Sequence, residues 1–228
     1  MIRYRWDSLA LAWTLILCTL QASPSAVEPS VLNRPVALNH LRLTTGATMS
    51  LLLSEAQVPG GIISIYEHCE QPNEREFSLD ETTLKQALDY ISTIESTRTW
   101  TYKDGLILVG LEQSDKTILR TVIHDVDFNP TEALTLSAQR LLETPEVRTS
   151  IQNAELNELS PELGFGQIRK NPSAASLQSS LNEAKHLHEI SLLHALNVVA
   201  ATKGTGVWEY EQFNCSNRTS FRLNWAVK

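Results

Sequence analysis

The sequence predicts an α+β fold made of two related small modules, β-α-β and β-α-β-β in pattern, with helices packed on small mixed sheets. Three observations predict it. Short β-branched and aromatic runs such as "GIISIYEHC" (61–69) read as strands. Leu84, Ala87, Leu88 and Ile91 recur at i, i+3, i+4 and i+7, the spacing of a helix with one buried face. Finally, residues 82–102 return at 190–210 without gaps, at a constant offset of 108 (208 − 100).

The first residues are expected to be removed. Arg3 and Arg5 precede an apolar run from Leu9 to Leu20 and the small-residue stretch "QASPSA", the pattern of a secretory signal peptide over residues 1–26. The run is shorter than the roughly 20 apolar residues of a membrane span, so no transmembrane segment is expected after cleavage. Cys18 follows Leu17, a bulky residue where a lipoprotein signal wants a small one. What remains is roughly 200 of the 228 residues, a length for one or two compact domains. With 19 basic against 26 acidic side chains the net charge is −7, and no basic stripe exists to neutralise phosphates, which excludes nucleic acid as a partner class. Export to an oxidising compartment makes a disulfide between the remaining cysteines, Cys69 and Cys215, an expectation, with two separate thiols as the other reading.

Residues 27–37 form an irregular lead-in, "ALNHLRL" a strand, and "TMSLLLSEAQVP" a short helix with Met49, Leu52, Leu53 and Ala56 on one face, stopped at Pro59-Gly60-Gly61. After the strand 61–69 and a polar turn, Phe77 and Leu79 suit a strand and the Leu84 helix follows, capped by Asp80 or Thr82. Asp104-Gly105 between two alternating runs signals a two-residue hairpin that sets Tyr102 opposite Ile107 and Trp100 opposite Val109. In the second block "KTILRTVIHDVDF" reads as a strand and "NPTEALTLSAQRLLETPEVR" as one helix, with Asn129 as cap and Pro130 in its first turn. Residues 160–176, rich in Gly, Pro and Ser, read as an exposed loop. A strand near 177–181, a helix from about Glu189 to Thr202, and strands near 207–211 and 220–227 complete the chain.

Within the repeat the identities are Leu84 and Leu192, Ala87 and Ala195, Leu88 and Leu196, Thr97 and Thr205, Trp100 and Trp208, and Tyr102 and Tyr210. They are mainly residues a helix needs to lie on a sheet, so the repeat speaks first of architecture. The segment "FSLDETTLKQALDYISTIESTRTWTYKDGLILV", together with the preceding "MSLLLSEAQVPGGIISIY", resembles the secretin and TonB short N-terminal domain over about residues 38–111, and a looser copy covers 118–228. The resemblance implies a periplasmic or secreted, non-catalytic module that recognises an envelope protein partner or assembles at the outer membrane.

Chemistry-bearing motifs are sparse. "HLHEISLLH", with His186, His188, His194 and Glu189, is the best metal candidate, but read as a helix it lacks two ligands one turn apart, so no metal and no cofactor is expected. No G-x-S-x-G elbow exposes a nucleophile. Asp125 and Asp127 alternate with Val126 and Phe128, as on a strand with one wet face. Trp100, Tyr102, Trp208 and Tyr210 have two readings, as core residues facing helices or as an exposed interaction surface. The alternative to an interaction module is a small secreted hydrolase or metal-dependent enzyme drawing on His124, His186, His188 and acidic neighbours.

Overall fold

A computed structural model describes residues 30–67, 73–95, 98–159 and 185–226. The expected signal peptide, the 160–176 loop and the strand near 177–181 lie outside the described residues. The first half runs β1 (Pro35–Leu43), α1 (Thr45–Glu55), β2 (Gly60–Tyr66), β3 (Arg75–Thr83), α2 (Leu84–Ile94), β4 (Trp100–Lys103) and β5 (Leu106–Val109). The second runs β6 (Val122–Phe128), α3 (Leu134–Leu142), α4 (Pro145–Asn153), β7 (Leu156–Glu158), β8 (Lys185–Ser191), α5 (Leu192–Lys203), β9 (Val207–Cys215) and β10 (Arg218–Ala226). The fold is α+β. Except that two helices occupy the place of α1 in the second half, the order of elements among the described residues is the same in both.

Pairing repeats as well as order. In each half the first and third strands form a separate two-stranded antiparallel ribbon, β1 with β3 and β6 with β8. The other strands make one six-stranded sheet in the order β4-β5-β2-β9-β10-β7. Each half contributes its hairpin and then the strand parallel to that hairpin's second arm, and the halves join where β2 runs parallel to β9 from Gly60–Val207 to Tyr66–Phe213.

Direction and face distinguish the halves. β2, β5 and β9 run one way, and β4, β10 and β7 the other. Ile62 packs with Met49, Leu52, Leu84, Leu88 and Ile91 of α1 and α2, whereas its neighbour Ile63, on the opposite face, packs with Leu192, Leu196, Trp208 and Phe221 among the helices of the second half. Successive strand residues point to opposite faces, so the sheet separates two cores. A half-turn about the axis across the strands keeps strand order, reverses strand direction and exchanges faces. That operation relates the halves.

Local chemistry explains most elements. α2 turns Leu84, Ala87, Leu88 and Ile91 inward, all fully buried; each large side chain so buried contributes about 1.5–3 kcal/mol. Its cap is Thr83, one residue beyond the expected Thr82, in a capping box with Gln86. The hairpin register is the one expected, with Trp100 opposite Val109 and Tyr102 opposite Ile107, and both turn residues have positive φ, Asp104 at 52° and Gly105 at 81°.

Two expected helices are corrected. The helix expected to run through residues 129–148 is two helices, because Thr144 is extended and Pro145 opens α4 at its first turn. Asn129 does not cap α3; its side chain accepts from Thr131 N at 2.9 Å in a turn that precedes the helix. The helix expected from about Glu189 begins at Leu192, capped by Ser191, and residues 185–191 before it are strand β8.

Candidate functional site

The repeated aromatics fall on equivalent strands, β4 and β9, each facing the helices of its own half. Trp208 and Tyr210 are fully buried, with Tyr210 stacked on Phe221 at 5.8 Å. Trp100 and Tyr102 are half-buried against the other core. Gly61 makes room for the Trp208 ring, since a Cβ at position 61 would lie 2.0 Å from Trp208 Cζ2. Cys215, at the end of β9, is disulfide-bonded, while Cys69 lies outside the described residues.

Among the described residues no strand pairs with the outer side of β4 or of β7, the two ends of the sheet. An uncovered edge presents backbone N–H and C=O groups to a further strand.

A polar cluster lies over the middle of the sheet. Arg98, buried, donates to Ser64 Oγ at 2.7 Å and to Tyr66 OH at 3.2 Å, and its Nε lies 3.0 Å from Glu95 Oε1. Burial pushes the Tyr66 hydroxyl up to about 12, against the pull of Arg98. Glu211 accepts from Arg222 and from Tyr66 OH. These groups pair with one another in the interior, and none of them lines the groove beside β7 and β10.

The ribbon of β6 and β8 carries the densest set of titratable side chains. Asp125 stands opposite His188 and Asp127 opposite His186, while Val126 and Leu187 between them turn toward the core. Because β8 is a strand, His186 and His188 share a face at spacing two, and the helical argument that separated the histidines does not hold. His188 Nδ1 lies 2.9 Å from Asp125 Oδ1. His186 meets two carboxylates, Asp125 through Nε2 at 3.1 Å and Asp127 through Nδ1 at 2.8 Å. The rings lie 6.5 Å apart at 15°. One ligand atom from each of Asp125, His186 and His188 lies within 4.8 Å of the other two. Hydrogen bonding to Asp127 holds the His186 imidazole above its usual value, and His188 holds the Asp125 carboxyl below its own.

His124 is not part of this group. It pairs with Glu189 at 2.7 Å, which raises its imidazole, at the rung where Glu189 takes a φ of 47°. His194 lies in the first turn of α5, where its backbone N–H donates to the Ser191 hydroxyl. Among the described residues each imidazole hydrogen bond runs to a carboxylate and none to a hydroxyl. An open groove beside β7 and β10, lined by Arg120, Ser150, Asn153, Gln212, Asn214 and Thr219 among others, includes no imidazole or carboxylate. No helix among the described residues is long and apolar enough to cross a membrane.

The signal for the ribbon cluster was present in the sequence as two period-two patterns, "HDVDF" and "KHLHEIS", but their register lies in the fold. Comparison with family models, with curated proteins and with solved structures finds no match to this chain.

Proposed function

We propose that the chain is an exported, non-catalytic protein-interaction or envelope-assembly module, of the kind that the secretin and TonB short N-terminal domain represents, acting in the periplasm or as a secreted protein. The observation that carries this reading is the way the halves join. Each half ends in a strand that accepts the hairpin of the next half, and the β2–β9 junction is that contact already made within one chain. A half-turn combined with a shift along the sheet does not close on itself, so the same contact is offered again at both ends, by β4 and by β7. Strand addition to such an edge draws affinity from main-chain hydrogen bonds and specificity from alternate side chains. Chemistry gives less support to an enzyme: among the described residues no hydroxyl nucleophile stands beside an imidazole, and the groove is lined by no imidazole or carboxylate.

A photo-activated cross-linker placed at Thr101 in β4 or at Asn157 in β7, with Leu136 on the exposed side of α3 as control, tests the reading in intact envelopes. Discrete adducts at either strand and none at Leu136 are expected. Equal labelling at all three positions, or none at either strand, would sink it.

A further inference from the structure

We propose that Asp125, His186 and His188 form a solvent-facing binding site for a divalent transition-metal ion of the zinc class, with Asp127 orienting the His186 ring. A neutral imidazole has one N–H and satisfies one carboxylate, while a protonated one satisfies two; the His186 ring sets both nitrogens against carboxylates on two residues of the facing strand. Cross-strand pairing alone needs only one of these contacts, the Asp127 rung directly opposite. The second contact brings Nε2 to the same Asp125 oxygen that His188 Nδ1 reaches from the other side. Two imidazole nitrogens therefore converge on one carboxylate oxygen, and a cation accepts all three as ligands where a proton bridges only two.

The donor set suits such an ion. Two imidazoles and one carboxylate are the protein ligands of open, catalytic-type zinc sites, and imidazole donors select zinc, copper and nickel over calcium and magnesium. The Asp127–His186 contact supplies the arrangement that metal-ligating histidines usually show, the nitrogen remote from the ion donating to a carboxylate. The support is rigid for a surface site: the four residues occupy two alternate rungs on one face of one ribbon, which buried Phe128 and Ile123 anchor to the core. Side-chain exposures of 58% and 64% for the two histidines leave the remaining coordination positions to water or to a ligand from outside.

Isothermal titration of the chelator-stripped mature protein with zinc chloride at neutral pH tests the site. The expected result is one zinc per chain, at least a hundredfold weaker binding in His186→Ala and His188→Ala, and no change in His124→Ala. Asp127→Asn is expected to weaken binding by about 10- to 100-fold, as loss of a supporting carboxylate does. Copper substituted into the wild-type protein gives a readout independent of variant folding, since its paramagnetic resonance spectrum is expected to show two imidazole nitrogens. Absence of stoichiometric zinc binding, undiminished binding in the His186→Ala/His188→Ala double variant, or a copper spectrum with fewer than two nitrogens would overturn the proposal.

Discussion

Trp208 donates its indole Nε1–H to Asn197 Oδ1 at 3.0 Å. One repeat earlier Trp100 donates to Asp89 Oδ1 at the same distance, and donor and acceptor are each displaced by 108 residues. The bond ties a strand to the helix that precedes it in both halves, but in opposite surroundings. Trp208 and Asn197 are buried, whereas the Asp89 side chain is half exposed. Removing the acceptor leaves a buried N–H unsatisfied only in the second half, so Asn197→Ala is expected to cost about 1–3 kcal/mol. Asp89→Ala is expected to stay within about 0.5 kcal/mol. Urea unfolding of the two variants measures the difference, and equal losses would show that the bonds are equivalent after all.

Gly61 and Trp208 share one space across the β2–β9 junction. Three ring atoms of Trp208 would lie between 2.0 and 2.6 Å from a Cβ at position 61, and a buried ring between a sheet and α5 has no free direction in which to retreat. Gly61→Ala is therefore expected to destabilise the protein by about 3 kcal/mol, the upper part of the usual range for overpacking. Pairing it with Trp208→Leu should recover part of that loss, visible as coupling in a double-mutant cycle. Additive effects would remove the steric explanation.

Much of this architecture was legible in the sequence because it is local. The Asp104-Gly105 hairpin fixes its own register, and the α2 stripe repeats within two turns, so neither depends on distant residues. The break at Pro145 was also local but was outweighed by an apolar period that runs on through Leu141, Leu142 and Val147. The sequence extends the α5 helix back to about Glu189 because "LLHALNVVAA" immediately follows; Ser191, whose hydroxyl accepts from His194 N, marks where the period changes. The ribbon cluster was legible only as two period-two patterns, and its pairing was not. Asp125 and His188 are 63 residues apart, and nothing local sets which rung of β8 faces which rung of β6.

Arg98 and Tyr66 set how the buried cluster responds to base. Tyr66 titrates at about 12 in the folded chain and near 10 when unfolded, mainly because burial disfavours the phenolate. The folded state then holds the proton longer, so Tyr66 contributes stability that is complete below pH ~10 and is lost as pH rises through 12. Tyr66→Phe is expected to flatten that part of the stability profile. Because the Arg98 charge draws the hydroxyl down, Arg98→Met should move its phenolate absorbance to still higher pH. It should also cost about 1–3 kcal/mol at neutral pH, by leaving the hydroxyls of Ser64 and Tyr66 without their buried donor. A Tyr66 titration unmoved by Arg98→Met would separate the two groups.

The helix starts of the two halves differ by one side chain, and that difference is testable. Thr83 and Ser191 cap α2 and α5 at equivalent positions, each accepting from the N–H three residues on at 3.2 Å. In α2 that third residue is Gln86, whose side chain reaches back to Thr83 N at 3.2 Å and closes the box; in α5 it is His194, which leaves the Ser191 N–H without this return contact. Ser191→Ala is expected to cost about 1 kcal/mol, the usual worth of a cap. His194→Gln supplies the missing half of the box and replaces a weaker helix former, so it is expected to stabilise by about 0.5 kcal/mol. Thermal unfolding reads both effects. His194 stands outside the ribbon cluster, so zinc binding should be unchanged in the same variant. A His194→Gln protein that is less stable than wild type would mean that the imidazole at the start of α5 has a role beyond ending β8.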